Sequence, residues 1–186
     1  SGDRPHGGIT KISDGIPSIG AENIITIGEY NFNQEKLIPK SFFNKMKSGI
    51  IESGDVLMYK DGLNLGRVSM FKNNFPYNEC CINSHAFILR TNEKISQNYL
   101  YFWLDQDFIK KLIISTGMRA AQPGINQTDV LDFPILVPER KIIDKFEKII
   151  NSKIKMIFNN ASENKLLTDQ ENLLLPMIMN DQINIS

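Results

Sequence analysis

Residues 116–127 carry side chains that are suited to reading the edges of DNA bases. The segment contains one cation, Arg119, and three side-chain amides, Gln122, Asn126 and Gln127, and it contains no acidic residue. A guanidinium group makes paired hydrogen bonds with guanine in the major groove, and a side-chain amide makes them with adenine. We therefore predict that these four residues contact DNA bases or phosphates. The alternative is that their polar groups satisfy backbone groups of their own loop.

Further polar residues in two other predicted loops have the same chemistry. The predicted DNA-binding set is completed by Lys60, Asn64, Arg67 and Lys72, and near the N-terminus by Lys11, Ser18 and Asn23. The net charge is zero, but residues 40–72 contain six Lys or Arg against three acidic residues, and residues 108–128 contain three against none. Local basic patches of this kind attract the phosphate backbone. Their alternative is a set of scattered, solvated lysines.

Catalytic chemistry has little support in the sequence. Asp132 with Glu139 and Lys141 has the residue types of a metal-dependent nuclease, in which bound Mg²⁺ activates water. Such a site needs the Glu and the Lys on a strand beside the Asp, whereas Pro138 is suited to the first position of a helix. We therefore expect no catalytic residue and no cofactor, and we keep a nuclease as an alternative to be tested.

Composition bounds the class of protein. The chain has 186 residues, of which 41% are hydrophobic and 23% charged, as is typical of a soluble globular protein. Cys80 and Cys81 are adjacent, which favours free thiols in a reducing compartment, and His6 and His85 are too far apart in sequence to suggest a metal site. With no apolar run of membrane-spanning length and no signal peptide, we expect a cytoplasmic protein without a membrane contact.

Short strands are predicted to hold the polar loops. Residues 15–20 form a short extended piece between turn residues. Apolar and polar residues alternate on both sides of a turn in residues 55–72, which predicts a β-hairpin with a long loop. Residues 82–89 predict a further strand, and residues 130–137 are expected to return the chain to the core.

Helices are predicted on both sides of the strands. Residues 41–48 predict one or two helical turns with Ser41 as the N-cap. Apolar residues recur at three- and four-residue spacing in residues 97–115, which predicts a single helix that Ser96 caps. Gly117 is the expected stop at its C-terminal end.

A long helix is predicted after these elements. Residues 139–175 contain neither Gly nor Pro, and a helix beginning at Pro138 would have about 37 residues and a length of roughly 55 Å. Asn159 and Asn160 mark the point at which a break is most expected. A long apolar stripe must pack on another helix or in the chain's own core. We predict the first, with the partner-facing residues Ile142, Phe146, Ile149, Ile150, Ile154, Ile157 and Ala161.

The predicted fold class is therefore α+β. A mixed, mostly β globular domain over residues 1–137 is followed by a long α-helical coiled-coil arm over residues 138–186. The first would be a unit that reads DNA, and the second a spacer or dimerisation helix.

Five segments, in this order along the chain, resemble motifs of the specificity (S) subunit of type I restriction-modification systems. The motifs are Gly-Ile-Pro-x-Ile, a Gly-Asp-Ile-Leu … Gly-x-Ile/Leu-Gly-Lys/Arg hairpin, a Gly … Gln-Pro-x-Ile-Asn loop, a strand that leads into a conserved helix, and a Leu-Leu-Pro-x-Leu-Leu-x-Gly-Glu-Ile ending. The matching segments are residues 15–19, residues 53–57 with 62 and 66–68, residues 117 and 122–126, residues 133–138, and residues 173–183.

The resemblance implies a non-catalytic protein that recognises DNA. A target recognition domain of this family reads one half of a bipartite sequence in double-stranded DNA. The conserved helices set the distance between the halves and dock the methyltransferase (M) subunits and, through them, the restriction (R) subunit. This chain has one such domain and one helix, so we expect a half-subunit that forms a homodimer, or the C-terminal half of a longer S subunit. A scaffold subunit that binds only partner proteins is the alternative.

Overall fold

The computed structural model describes Gly2, residues 13–119 and residues 123–180, and it has an α+β fold. Its strands are β1 (Ile16–Ile19), β2 (Ile24–Thr26), β3 (Glu29–Tyr30), β4 (Leu37–Ile38), β5 (Val56–Tyr59), β6 (Val68–Met70), β7 (Cys81–Ile82) and β8 (Ala86–Leu89). Its helices are α1 (Lys40–Phe43), α2 (Gln97–Leu104), α3 (Asp107–Gly117), α4 (Gln127–Leu131) and α5 (Arg140–Met179). A mixed, strand-rich part followed by a long helix confirms the predicted fold class.

The strand β5 lies at the centre of the sheet that holds the predicted hairpin. The strand order is β6-β5-β8, and both pairings are antiparallel. Val56 lies opposite Met70 and Met58 opposite Val68, which confirms the hairpin predicted over residues 55–72. Leu57 packs in a different hydrophobic cluster from Val56 and Met58. Since alternate residues of a strand face opposite sides of the sheet, β5 is covered on both faces.

The strand predicted over residues 82–89 is divided between two sheets. β7 pairs with β1 in the order β4-β1-β7, whereas β8 pairs with β5. The chain turns between them because Asn83 Oδ1 accepts a hydrogen bond from the backbone N–H of His85, at 2.8 Å. Asn side chains often stabilise turns by bonding a backbone group two residues further on.

The single helix predicted over residues 97–115 is two helices. Ser96 is the N-cap, as predicted, and its hydroxyl accepts from the backbone N–H of Tyr99 at 3.0 Å. The backbone becomes extended at Gln106, which ends α2 and starts α3 in a new direction. This change of direction lets Leu104 of α2 and Ile109 of α3 both enter the same core cluster. α3 ends at Gly117, the predicted stop.

Two other predicted elements are wrong in detail. Ser41 does not cap a helix, because α1 begins one residue earlier and Pro39 stands at its N-cap. A proline there loses no helical hydrogen bond, since the first N–H groups of a helix have no partner in it.

Residues 130–137 contain no strand; the chain leaves α4 and continues to α5 without regular structure. Pro134 lacks the N–H that a strand would donate.

α5 is one continuous helix of 40 residues, which at about 1.5 Å per residue spans roughly 60 Å. It starts two residues after Pro138, with Glu139 at the N-cap. The expected weak point at Asn159–Asn160 is inside the helix and does not interrupt it. Among the described helices, none is both long and apolar enough to cross a membrane.

The N-terminal half of α5 packs on the chain's own core. Ile143, Ile154, Phe158 and Ala161 are buried, and three of them belong to the main core cluster. Polar contacts fix the same face: Glu147 accepts hydrogen bonds from Ser96 Oγ and from Asn98 Nδ2 at 2.5 and 2.8 Å. The long helix therefore starts as part of the globular body.

This packing corrects the predicted partner-facing stripe. Ile154 and Ala161 are buried within the chain, and Ile150 packs against the same cluster. Phe146 contacts the rings of α2, and Ile157 lies against Gly28. Ile142 and Ile149 remain accessible, with 55% and 67% exposure. The stripe serves mainly the internal core, because α2 lies beside α5 and fills the role that a partner helix was expected to fill.

Candidate nucleic-acid interface

Two of the predicted polar loops form one surface. The backbone N–H of Gly62 donates to the carbonyl of Pro123 at 3.1 Å, and the N–H of Ile125 donates to the carbonyl of Lys60 at 2.8 Å. Gly124 N–H donates to the carbonyl of Gly117 at 3.1 Å, which brings in the end of α3. We call residues 60–67, 110–119 and 123–127 together the hairpin–α3 surface.

The turn of the hairpin depends on two glycines. Gly62 and Gly66 have φ angles of +69° and +79°, a region that residues with a Cβ rarely adopt. A 3-10 turn over Gly62–Asn64 forms the tip between them. At Gly66 a Cβ would also lie 3.0 Å from Cγ2 of Ile113. The tip therefore has one backbone conformation and packs closely against α3.

Gly117 allows the same close approach from the side of α3. A Cβ at this position would lie 2.3 Å from Cδ2 of Leu65 and 3.3 Å from the backbone of Gly124. The sequence identifies Gly117 as the end of a helix, and the structure adds that it makes room for the hairpin loop. Because both contacts are within the hairpin–α3 surface, its parts must keep a fixed relative position.

Arg67 and Asn64 lie in a shallow depression of this surface. The depression has a volume of about 340 Å³, and Lys110 also lines it. Arg67 is exposed, and its Nη1 donates to the carbonyl of Ile24 at 3.1 Å. That bond directs the guanidinium while leaving other N–H groups open to solvent. Lys110 lies 2.6 Å from Asp105, which compensates its charge.

β2, which carries the carbonyl that holds Arg67, is itself fixed by a buried phenol. The hydroxyls of Thr26 and Tyr101 lie 3.2 Å apart. Desolvation by burial raises the pKa of Tyr101, so this phenol stays protonated and serves as a neutral hydrogen-bonding group at physiological pH. The bond connects β2 to α2 under the hairpin–α3 surface.

Uncompensated positive charge remains at three positions of the surface. Arg119 and Lys111 are exposed, like Arg67. Within the part of the chain that the structure describes, none of the ion pairs involves Arg67, Lys111 or Arg119. Lys60 differs, because its ammonium lies 3.3 Å from Asp61 and 5.8 Å from the centre of the Phe87 ring.

Asp61 and His85 support the base of the hairpin loop, and neither is among the predicted site residues. His85 Nδ1 lies 2.9 Å from Oδ2 of Asp61, and the carbonyl of His85 accepts from the N–H of Lys60 at 3.0 Å. The two residues are 24 positions apart in sequence, so only the pairing of β5 with β8 brings them together.

Asn126 has the structural role that was the alternative to DNA contact. It is the N-cap of α4: its Oδ1 accepts from the N–H of Asp129 at 3.0 Å, while Asp129 Oδ2 accepts from the N–H of Asn126 at 2.7 Å. The side-chain oxygen of Asn126 is therefore used to bond a backbone N–H group of its own chain. An Asn followed three residues later by an acid is a known capping pattern, so the sequence contained the signal. Gln127, the first residue of α4, is exposed.

Three of the predicted contacts lie away from the candidate surface. Ser18 and Asn23 are 5% and 1% exposed, and Asn23 bonds Gly20 and Asn31. Both predictions are corrected, because such side chains cannot reach DNA. Lys72 lies beyond β6, at the end of the hairpin opposite the loop. The three residues of β6 alone span roughly 10 Å. Lys11 lies outside the described residues, as does Gln122 of the α3–α4 segment.

The described residues contain no cluster of side chains that could bind a catalytic metal ion. In residues 13–119 and 123–180, with Gly2, no group of three or more His, Cys, Asp or Glu side chains could hold a metal ion. The nuclease alternative also placed Glu139 and Lys141 on a strand, whereas they lie at the N-cap of α5 and in its first turn.

Comparisons with known proteins identify a family for this chain. A family model described as "Type I restriction modification DNA specificity domain" matches residues 10–168. The specificity subunit of the type I restriction enzyme HindI from Haemophilus influenzae is 30% identical over 94 residues, which are 50% of this chain and 20% of that protein. This chain thus spans about a fifth of that relative. A solved chain, from work on complex assembly and conformational transition of the type I R-M system, has a TM-score of 0.45 and 16% identity, covering 89% of this chain and 38% of that one.

Proposed function

The chain belongs to the family of type I restriction-modification DNA specificity domains, and from this premise we propose that it reads one half of a bipartite sequence in double-stranded DNA. It would do so as a specificity subunit, a half-subunit or the corresponding part of a longer one. The observation that carries the proposal is the hairpin–α3 surface. Two polar loops, distant in sequence, are hydrogen-bonded into a single face that bears three uncompensated cations.

The chemistry of this surface matches the two requirements of a DNA reader. Cations bind phosphates at any sequence and fix the orientation of the protein on the duplex, whereas side chains that reach the base edges supply specificity. We assign Lys111 mainly to the first task, because an ammonium is a point charge without a paired geometry. Arg67 and Arg119 can serve both tasks, because a guanidinium binds phosphates as well as guanine. Asn64 and Gln127 are further candidates for the second, since amide groups form paired bonds with bases.

α5 is proposed to position this domain relative to its partners. Its buried face attaches it to the domain, and its other face exposes apolar residues at seven-residue spacing: Ile142, Ile149 and Met156, then Leu166 and Leu173, and Leu167 and Leu174. A seven-residue apolar repeat is the pattern of a coiled coil. We propose that this exposed face docks methyltransferase subunits and, through them, the restriction subunit, or pairs with a second copy of the chain.

A scaffold without DNA recognition is the second candidate function. The capping bonds of Asn126 favour it, because they remove one predicted base contact. The exposed guanidinium groups of Arg67 and Arg119 favour DNA recognition, because a surface that only scaffolds has no need of them. In either function the chain carries out no chemical step and requires no cofactor.

The test is to assemble the chain with type I methyltransferase subunits and to map which DNA sites become methylated. We expect methylation at one defined sequence. Arg119→Ala should weaken binding to that sequence by roughly 1–3 kcal/mol if Arg119 pairs with a guanine. Lys72→Ala is the matched control and should leave the site and its affinity unchanged. Two results would refute the proposal and favour the scaffold. One is methylation without any sequence preference. The other is methylation of the same sequence when an unrelated specificity domain replaces this chain.

A further inference from the structure

The tip of the hairpin presents an apolar side chain to solvent. Leu63 is 107% exposed relative to a fully accessible residue, more than any other large hydrophobic residue among those described. A single exposed leucine on a protein surface is ordinary. The position of this one is not ordinary, since it stands at the vertex of the turn between β5 and β6, whose shape Gly62 and Gly66 fix with positive φ angles.

Polar groups suited to DNA surround Leu63. It lines the same shallow depression as Asn64, Arg67 and Lys110, of which Lys110 is paired with Asp105. The apolar part of that depression is formed by Ile25, Leu65, Val68 and Ile114. A partner protein with an apolar patch would have to cover the uncompensated guanidinium of Arg67 at the same time. A DNA duplex instead offers phosphates for the cations together with apolar groups on its bases.

The chemistry of the tip selects one groove. The apolar group that the major groove of B-DNA displays is the 5-methyl group of thymine. Asn64, next to Leu63 in the same turn, has the amide that pairs with adenine. Both residues thus have chemistry that selects A·T base pairs.

We infer that Leu63 is a specificity-determining residue that contacts the 5-methyl group of a thymine in the half-site. This inference rests on the proposed function and adds to it the base that the tip of the hairpin selects. The contact buries a methyl group against a side chain that is fully solvated in the free protein. Burying one methyl group changes affinity by about fourfold, so the preference for thymine over uracil at that position should be of this size.

The test uses the full chain and a pool of random duplexes, from which the bound sequence is selected. Each thymine of the selected half-site is then replaced by uracil, which removes only the 5-methyl group, and dissociation constants are measured by fluorescence anisotropy. We expect one position at which uracil weakens binding by the wild-type chain about fourfold. Leu63→Ala should bind the thymine duplex more weakly and should not distinguish thymine from uracil there.

A matched control separates this contact from a general loss of surface. Leu136 is also an exposed leucine, in the segment before α5, and Leu136→Ala should keep the wild-type preference for thymine. Since Leu63 is fully exposed, its substitution should leave the thermal unfolding midpoint unchanged.

Two results would overturn the inference by different routes. If wild-type binding is sequence-specific but indifferent to uracil at every thymine, Leu63 does not read a methyl group and the proposed function stands. A wedge inserted from the minor groove would give this result, because the methyl group lies in the major groove. If no sequence is enriched from the pool, the proposed DNA recognition fails, and the inference fails with it.

Discussion

Replacement of Arg67 by glutamine should change how DNA binding depends on salt. Arg67, Lys111 and Arg119 are the uncompensated cations of the hairpin–α3 surface. Each phosphate neutralised contributes about −0.9 to the slope of log K against log salt, so three contacts give a slope of about −2.7. Arg67→Gln removes one charge and keeps a side-chain N–H that can donate to the carbonyl of Ile24.

The expected size of the effect follows from that slope. Between 50 and 200 mM salt the wild-type chain should lose roughly 40-fold in affinity, and Arg67→Gln should lose roughly 12-fold, because its slope is about −1.8. Fluorescence anisotropy with a labelled duplex at four or five salt concentrations measures both slopes. Lys72→Gln provides the matched control, since Lys72 lies at the other end of the same hairpin and its slope should equal that of the wild type.

Two outcomes would refute this reasoning. If Arg67→Gln keeps the wild-type slope, the guanidinium of Arg67 does not neutralise a phosphate of the bound DNA. If Lys72→Gln lowers the slope as much as Arg67→Gln does, the DNA lies along the whole hairpin rather than at its loop.

Three further substitutions test the fold beneath the site and the role of α5. Gly117→Ala should lower the free energy of unfolding by about 1–3 kcal/mol through overpacking against Leu65; an unchanged urea midpoint would contradict the packing. Arg90→Ala should lower it by about 2–3 kcal/mol, because Asp55 is 3% exposed and loses its partner. The loss should lie below the range for fully buried pairs, since Arg90 is half exposed. Arg140, which forms an exposed pair with Asp144, is the reference, and a loss as small as that of Arg140→Ala would contradict this prediction. Leu173→Lys should weaken self-association in sedimentation equilibrium and leave unfolding unchanged; an unaltered association constant would exclude this part of α5 as a contact.

The hairpin is the part of the site that the sequence predicts best. Alternation of apolar and polar residues locates β5 and β6, and the glycines between them locate the turn. Spacing alone does not show that the loop at Lys60 bonds the segment at Ile125, since 65 residues separate the two positions. This pairing arises because β5 is central in its sheet and α3 ends beside it. The convergence of two polar loops is therefore a property of the topology.

Burial separates the site predictions that we retain from those that the structure corrects. Ser18 and Asn23 have the same side-chain chemistry as the retained candidates, and local sequence does not distinguish them. Asn23 is buried because its amide satisfies the backbone of Gly20 and Asn31, a role that depends on β2 and β3 folding over it. Lys72 is predicted as part of the basic stretch over residues 40–72, whereas β6 carries it to the end of the hairpin opposite the loop.

The long helix illustrates a limit of periodicity. The repeat in residues 139–175 predicts that a helix forms and that one face is apolar, and both are confirmed. It does not identify what covers that face. Ile154 is fully buried by the chain's own domain, whereas Ile149, five residues earlier and on the other side of the helix, is 67% exposed. The exposed side is the one that we propose for partner subunits.

Site-specific photocrosslinking tests the central claim most directly. A photoreactive amino acid is placed at Arg119, on the hairpin–α3 surface, or at Lys72, outside it, and each protein is irradiated with the duplex selected by the wild-type chain. If this surface faces DNA, the variant at Arg119 forms a covalent adduct with one segment of the duplex, and the variant at Lys72 forms none. An adduct from Lys72 without one from Arg119 would contradict the account.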